Sequence, residues 1–251
     1  MNSDKIKQEF LRIKALGFLE NVKTDFNDGA AGNTFEKHLG VEENNLKEAD
    51  FDNFEVKTKK TYLKSKSPIS LFTLKPSYPS DGDSYMRNNW GVPDPRYPNV
   101  LRFSTSLYAH RWSVVYKKFK YKVEVDRKTS RIYIVKADLN ENILDRTVYW
   151  NFEDVNKGAK KLQNLFLVEA DMKIINGRHH FHYTNATVFV DYIGHENFID
   201  LMEQGLIRYD NRLGVYGPEQ PLAGTPHNHG GGFRLDKKLI GKLYNNIIEI
   251  T

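Results

Sequence analysis

Segments rich in β-branched and aromatic residues constrain the fold of this chain more than any other feature. Four of them have the composition of strands: YKVEVD (121–126), RIYIVKAD (131–138), NLFLVEADMKII (164–175) and ATVFVDYI (186–193). Helical spacing occurs after Ser3, with Ile6, Phe10 and Ile13 on one side and a stop at Gly17. It also occurs near residues 152–162, 194–205 and 235–247. The pattern predicts an α/β chain, of the α+β type with a mixed sheet and a strand-rich middle.

Composition limits the metals and partners of the chain. Its 251 residues suffice for one large domain or two packed lobes with a sizeable core. Because the sequence has no cysteine, a metal ion must be held by oxygen or imidazole, which favours hard ions such as Mg²⁺. The 37 lysines and arginines exceed the 32 acids, for a net charge of +5. This mild basic bias fits a polyanionic partner.

No targeting or membrane segment is visible in the sequence. The start, MNSDKIKQEF, lacks an apolar run after a basic beginning. No stretch reaches the roughly 18 consecutive apolar residues of a membrane span. We therefore expect a cytoplasmic protein.

The segment DFDNFEVK carries acids and a lysine at a suggestive spacing. Side chains alternate between the faces of a strand, so Glu55 and Lys57 should project together while Phe54 and Val56 face the core. A turn would bring Asp50 back onto the same face. Two converging carboxylates can hold Mg²⁺, and a nearby lysine can act on the attacking water and on phosphate charge. The spacing Asp-x4-Glu-x-Lys is that of the PD-(D/E)xK nuclease site; a solvated hairpin is the alternative interpretation.

A further acid precedes this motif. Glu36 lies in TFEKHL, a predicted short helix closed by Gly40, where many such nucleases carry one more acid facing the metals. The alternative is an acid in the first turn that favours the helix macrodipole. The stretch from Lys57 to Lys75 has six lysines and no acid, which suits phosphate contact.

The segment GNTFEKHLGVEENNLKEADFDNFEVKTKK, followed by SPISLFTLKP, resembles the catalytic core of the MvaI/BcnI family of type II restriction endonucleases, and its MvaI branch most closely. The resemblance covers essentially the whole chain, including its length and its His- and Gly-rich end. More distantly, the chain is similar to the mismatch-repair nickase MutH, whose site has a helix Glu before an Asp…Glu-x-Lys strand pair. The resemblance implies a MutH-like PD-(D/E)xK restriction-endonuclease fold, with two lobes forming a DNA cleft.

The resemblance also implies an activity. It implies a monomer with one active site that hydrolyses one strand of duplex DNA at a time, at CCNGG-type sites, with one or two Mg²⁺ ions. Asp50 and Glu55 would be the metal ligands, Lys57 the catalytic lysine, and Glu36 a catalytic acid carried over from MutH. Similarity to the MvaI branch alone favours CCWGG over CCSGG. A cognate DNA methyltransferase would protect the host genome.

Residues suited to reading bases concentrate in LIRYDNRLGVYGPEQPLAGTPHNHGGGFRLD. Arginine pairs with guanine O6 and N7, and an acid can accept from cytosine N4. The first part of this segment, LIRYDNRLGVY (206–216), has the pattern of a hairpin. The first three candidates alternate along one of its strands and share a face, and the others flank a glycine run that lets backbone approach DNA. An ion-paired hairpin with a flexible loop is the alternative. The candidates are Arg208, Asp210, Arg212, His227, His229 and Arg234.

Two histidine clusters have structural interpretations. The adjacent letters HNH at 227–229 do not match HNH nucleases, whose residues are dispersed through a ββα unit. His179, His180 and His182 could supply two zinc ligands, but the sequence has no matching second cluster. Hydrogen-bonded structural histidines are the better interpretation.

Residues 76–99, rich in Pro, Gly, Asn and Ser, are predicted to form a long loop inserted between sheets. Arg87, Trp90 and Arg96 within it could wrap DNA or contact the minor groove. An aromatic ring that pins the loop to the body of the protein explains Trp90 equally well.

Together these features and the resemblance predict a Mg²⁺-dependent, site-specific deoxyribonuclease, and the similarity to the MvaI branch implies action at CCWGG. The predicted catalytic lobe comprises residues 1–75 and about 100–190, and the predicted recognition lobe about 191–251. The alternatives are a MutH-like nickase that depends on partners and a non-catalytic DNA-binding protein. The intact Asp50, Glu55 and Lys57 argue against a non-catalytic protein, and the self-contained recognition residues argue against partner dependence.

Overall fold

The computed structural model describes residues 3–23, 29–41, 51–61 and 68–250. Its helices are α1 (Ser3–Ala15), α2 (Ala30–Leu39), α3 (Gly82–Trp90), α4 (Phe152–Ala159) and α5 (His195–Glu203), with 3-10 helices at Lys160–Gln163 and Lys237–Leu243. Its strands are β1 (Leu19–Glu20), β2 (Glu55–Lys60), β3 (Ile69–Thr73), β4 (Val92–Pro93), β5 (Leu101–Leu107), β6 (Ser113–Val115), β7 (Phe119–Asp126), β8 (Arg131–Ala137), β9 (Ile143–Asp145), β10 (Tyr149–Asn151), β11 (Asn164–Ile175), β12 (Arg178–Tyr192), β13 (Ile207–Val215), β14 (Pro226–Asn228), β15 (Gly232–Leu235) and β16 (Tyr244–Ile250). Among these helices, none is long and apolar enough to cross a membrane.

The chain divides into two compact units. Unit 1 comprises residues 1–69, 160–193 and 240–251, and unit 2 comprises residues 70–159 and 194–239. These bounds differ from the expected lobes, because strand pairing joins segments that are distant in sequence. β5 pairs with β13, and β16 returns to pair with β12.

Unit 1 is built on one five-stranded sheet. Its order is β1-β12-β11-β2, with β16 beside β12, and β2 runs parallel to β11. The spacing of Ile6, Phe10 and Ile13 places all three on the buried side of α1. In the core, Phe35 of α2 lies with its ring 4.8 Å from Tyr183 of β12 and 6.1 Å from Phe166 of β11. Burial of this apolar surface fixes α1 and α2 against the sheet.

Unit 2 contains two sheets. One has the order β10-β8-β7-β6, with β9 beside β8, and the other has the order β3-β15-β13-β5-β4, with β14 beside β13. The rings of Trp150 and Phe233 lie 4.5 and 5.5 Å from that of Tyr209, which is buried on β13. Alternate residues of β13, from Ile207 to Val215, are buried. The residues between them therefore share the other face of the sheet.

Three predictions about individual segments were wrong. Residues 76–99 contain α3, because Met86 and Trp90, one helical turn apart, bury the same side of a helix. Residues 206–216 contain one continuous strand instead of a hairpin, since β13 pairs with β5 and with β15. The expected closing helix is a short 3-10 helix followed by β16, where pairing with β12 outweighs helical spacing.

Candidate functional site

Glu55 and Lys57 project from the same face of β2, as their spacing predicts. Lys57 Nζ contacts Glu55 Oε1, while Phe54 and Val56 are buried in the core of unit 1. A tight turn precedes the strand, with Asp52 and Asn53 at φ values of 45° and 68° and a backbone bridge from Phe51 to Phe54. The rigid turn and the core anchors hold Glu55 at the start of the strand.

Glu55 is a buried carboxylate with unequal oxygens. The residue is 1% exposed, and Oε1 accepts from both Lys57 and Lys161, whose Nζ lies 2.8 Å away. Oε2 is buried without a hydrogen-bond partner among the described residues. A buried carboxylate is stable only when it is paired, and the two ammonium groups supply that compensation.

Lys161 is a member of the site that the sequence interpretation missed. It lies in the 3-10 helix that leads directly into β11, the strand parallel to β2. In the register of that pair, Leu165 stands opposite Glu55, so the preceding turn lies beside the carboxylate. The available signal was the pair Lys160-Lys161, two residues ahead of a strong predicted strand.

Oε2 of Glu55 is a donor atom that fits a hard divalent cation. An unpaired, buried carboxylate oxygen is a ligand that Mg²⁺ accepts. Asp50, the other predicted ligand, lies outside the described residues. Over the described ranges, no cluster of three or more His, Asp or Glu residues could hold a metal ion by itself.

Glu36 lies on α2 close to β2. A Cβ on Gly32 would lie 3.7 Å from Glu36 Oε1 and 3.9 Å from Thr58 Oγ1, so both oxygens border the same point. Thr58 projects from the opposite face of β2 to Glu55 and Lys57, since neighbours in a strand alternate. The structure thus brings Glu36 to the strand but on the side of Thr58, and its catalytic role stays a prediction.

In unit 2, three of the predicted recognition residues lie on one face of β13, as expected. Asp210 Oδ1 accepts from Arg208 Nε at 2.9 Å, and its Oδ2 lies 3.1 Å from Arg234 Nε. Arg234 belongs to β15 and stands directly opposite Arg208. Arg208 also donates to the hydroxyl of Tyr108 at 3.1 Å. We call the surface formed by Arg208, Asp210, Arg212 and Arg234 the arginine face.

Electrostatics on the arginine face are balanced by Asp210. Burial lowers the pKa of Arg234, and the nearby charges of Arg212 and Arg208 lower it further against the opposing effect of Asp210. For Arg208, burial also lowers the pKa, but the charge and hydrogen bonds of Asp210 outweigh it and the net shift is upward. Both guanidinium groups remain charged at neutral pH.

His227 and His229 lie beside the arginine face. Their rings are 4.0 Å apart, and His227 also stacks on Tyr216 at 4.0 Å. The backbone N–H of His229 donates to the carbonyl of Arg212 at 3.0 Å. Burial, followed by the charges of His227 and Arg212, lowers the pKa of His229, so its imidazole is neutral at pH 7. A Cβ at Gly214 would lie 2.9 Å from His229 Nε2, which explains the glycine there.

Asn228, between these histidines, is a structural residue. Its side chain accepts from the backbone N–H groups of Gly230 and Gly231 at 2.9 and 3.2 Å. It also donates to Asp83 at 2.6 Å. These contacts order the glycine loop and agree with the rejection of an HNH nuclease site.

Arg87 and Trp90 support unit 2 from within. Arg87 donates to the carbonyl groups of Leu101, Gly214 and His227 at 2.8, 2.7 and 3.1 Å. Trp90 is buried and donates to Asp145 at 2.8 Å. The structural interpretation of Trp90 is therefore confirmed, and Arg87 is committed to backbone groups.

The histidines of β12 have local partners. His180 Nδ1 lies 3.0 Å from the carbonyl oxygen of Arg178, and the ring of His182 packs 5.2 Å from that of Phe18. These contacts favour the structural interpretation over a zinc site.

Comparisons with known proteins agree with the predicted fold and nuclease class. The model of the MvaI/BcnI restriction endonuclease family matches residues 7–244. A solved structure titled as restriction endonuclease MvaI in complex with a cognate DNA substrate matches with a TM-score of 0.89 at 25% identity, covering 100% of this chain and 99% of that chain. Restriction endonuclease MvaI in the absence of DNA matches with a TM-score of 0.59 at 25% identity, covering 99% and 97%. A search of the curated proteins finds no match.

Proposed function

Since the chain belongs to the MvaI/BcnI family of restriction endonucleases and is a type II restriction endonuclease, we propose that it hydrolyses duplex DNA at CCWGG sites with Mg²⁺ as cofactor. The buried Glu55, held between Lys57 and Lys161 in a chain that matches this family, is the observation that carries the proposal. Unit 1 would supply catalysis and unit 2 base recognition.

In the proposed catalytic site, Asp50 and Glu55 hold the metal. When bound, Mg²⁺ would polarise the attacking water and neutralise phosphate charge. Glu55 offers Oε2 for this purpose, while its other oxygen keeps the two ammonium groups close by. Glu36 is proposed as an additional catalytic acid from the resemblance to MutH; in this chain α2 brings it to β2 on the side of Thr58.

Lys57 and Lys161 have different roles in this proposal. Lys57 Nζ, on the same face as Glu55, orients the attacking water and, as an ammonium group, stabilises negative charge on the phosphate. Lys161 supplies a second positive charge for the scissile phosphate. Because both ammonium groups are held by one buried carboxylate, their positions are set before substrate binds.

Base recognition is assigned to the arginine face with His227 and His229. Arginine donors suit guanine O6 and N7, and a neutral imidazole can donate or accept. Each residue acts from a strand or from a loop ordered by Asn228, which favours defined geometry over induced ordering. CCWGG over CCSGG is proposed from similarity to MvaI.

We further propose a monomer with one active site per chain and a cognate methyltransferase that protects the host DNA in the cytoplasm. One active site cuts one strand at a time, so nicked circles should precede linear DNA. The purified chain should be incubated with unmethylated supercoiled plasmid carrying CCWGG and CCSGG sites, with Mg²⁺ or EDTA. Fragment ends should then be mapped.

Mg²⁺-dependent ends at CCWGG, formed through a nicked intermediate, would support the full proposal. Cutting at CCSGG instead would correct the central base pair. Specific binding without cleavage by the purified chain would favour the partner-dependent nickase or the non-catalytic DNA-binding protein.

A further inference from the structure

Unit 2 contains a cleft of about 260 Å³ beside the arginine face. Arg96, Arg102 and Arg212 line it together with Asp94 and His229. The lining thus carries three positive guanidinium groups and one negative carboxylate, and His229 is neutral at pH 7. The cleft therefore has the electrostatics of an anion-binding site.

Asp94 builds one wall of this cleft. It is 2% exposed, and its Oδ1 accepts from the backbone N–H of Arg96 at 2.9 Å. Its carboxylate oxygens lie 3.6 Å from Arg96 Nε and 3.8 Å from Arg102 Nε. A fixed buried charge thus holds two arginines at the edge of the cleft, and both meet it through the inner nitrogen of the guanidinium.

Arg102 contributes a buried guanidinium nitrogen to this wall. It lies on β5 opposite Val92, and its Nε is buried. In the part of the chain that the structure describes, this nitrogen has no hydrogen-bond acceptor, and the nearest carboxylate oxygen, of Asp94, lies 3.8 Å away. The side chain as a whole is 38% exposed, so an oxyanion in the cleft can accept a charge-assisted hydrogen bond from this guanidinium.

The shape of the site favours a phosphate over a base. Base edges lie at the floor of a major groove about 8.5 Å deep and are reached by side chains that protrude. A recess instead receives a group that protrudes from the duplex, which is the phosphodiester backbone. Arg212 is exposed and can serve a base, whereas Arg102 borders the cleft with its inner nitrogen buried beside Asp94.

We propose that this cleft binds a backbone phosphate of DNA, with Arg102 as the principal donor and Asp94 as its positioning residue. The inference rests on the proposed function, because DNA is the ligand. It adds a contact that fixes the register of the duplex on unit 2 and carries no base information.

Equilibrium binding of Arg102→Gln tests the proposal. Fluorescence anisotropy in EDTA, where no cleavage occurs, should compare a CCWGG duplex with a scrambled duplex over a range of salt concentrations. The variant should weaken binding to both duplexes by the same factor, about tenfold for one charged hydrogen-bonded contact. The slope of log K against log salt should fall by about 0.9. Arg102→Lys should keep the salt slope, because it keeps the charge.

The matched control is Lys128→Gln, the same loss of charge at an exposed position of unit 2. It should bind as the wild type does, with the thermal midpoint of the wild type. The midpoint of Arg102→Gln should fall slightly, because Asp94 loses one of its two neighbouring guanidinium charges, and should stay above the assay temperature. A methylphosphonate scan should find one phosphate whose neutralisation weakens the wild type but not Arg102→Gln.

A loss confined to the CCWGG duplex would overturn the proposal in favour of base reading. A loss no greater than that of Lys128→Gln would overturn it in favour of a purely structural Arg102. Plasmid cleavage by the wild type distinguishes failure of the phosphate subsite from failure of the proposed function. If the wild type cleaves at CCWGG and Arg102→Gln binds normally, only the phosphate subsite is wrong. If the wild type neither cuts nor binds DNA, the proposed function fails as well.

Discussion

Replacing Lys161 by alanine tests the ion-pair network around Glu55. Removing one partner of a buried ion pair lowers stability by about 3–5 kcal/mol when the other charge is left uncompensated. Lys57 still contacts Glu55 in this variant, and the Lys161 side chain is 26% exposed. We therefore expect a smaller loss of about 1–2 kcal/mol in the free energy of unfolding, measured by urea denaturation.

Catalysis should suffer more than stability. If Lys161 acts on developing phosphate charge, its removal resembles the loss of one oxyanion donor, which lowers rates about 10²–10³-fold. Single-turnover cleavage of a CCWGG duplex should fall by about that factor, while binding in EDTA changes little. Lys161→Arg should be faster than Lys161→Ala, because it keeps the positive charge. It should stay slower than the wild type, because a guanidinium differs in geometry from an ammonium group.

Lys160→Ala is the matched control for this experiment. Lys160 is the exposed neighbour in the same 3-10 helix, so the charge change and the local backbone are the same. The reasoning is refuted if the two variants cleave at equal rates and unfold at the same urea concentration. A fall in stability alone would reduce Lys161 to a structural partner of Glu55.

Three further predictions follow from the same contacts. Lys57→Ala should abolish cleavage in the plasmid assay and leave binding nearly intact, because the lysine acts on the water and phosphate more than on the bases; loss of specific binding would count against its assignment. Arg208→Ala or Arg212→Ala should reduce discrimination at a G·C pair by about 1–3 kcal/mol in competition binding, whereas equal weakening on all sequences would indicate phosphate contact instead. Burial raises the pKa of Asp94, but the backbone N–H of Arg96 and the charges of Arg96 and Arg102 outweigh it and the net shift is downward. The stability that Asp94 provides is thus present above its unfolded pKa of about 3.9 and is lost as the pH falls through the lower folded value, so urea titrations should show a smaller acid-induced loss in Asp94→Asn than in the wild type.

The local part of the candidate site could be predicted from sequence. Two residues that are one apart in a strand must share a face, so the contact of Lys57 with Glu55 follows from alternation and from the apolar Phe54 and Val56. The same rule placed Arg208, Asp210 and Arg212 together. Alternation requires no knowledge of tertiary structure, which is why these predictions held.

Contacts that depend on strand register could not be predicted in this way. Lys161 reaches Glu55 only because β11 lies parallel to β2 with Leu165 opposite Glu55. The closing segment has helical spacing, yet it forms β16 because β12 offers a strand edge to pair with. A single sequence contains the local spacing but not the partner strand.

The arginine face shows what register adds to function. The pairing of β13 with β15 sets Arg234 opposite Arg208, and both arginines turn toward Asp210. Each oxygen of Asp210 is thereby engaged by a guanidinium, so a cytosine amino group could be read only by sharing the carboxylate. We infer that Asp210 acts first on the arginines, because side chains already held in place lose less conformational entropy when DNA binds. Alternation in the sequence placed Arg208, Asp210 and Arg212 on one surface. That Asp210 holds both Arg208 and Arg234 follows only from the pairing of strands in the folded sheet.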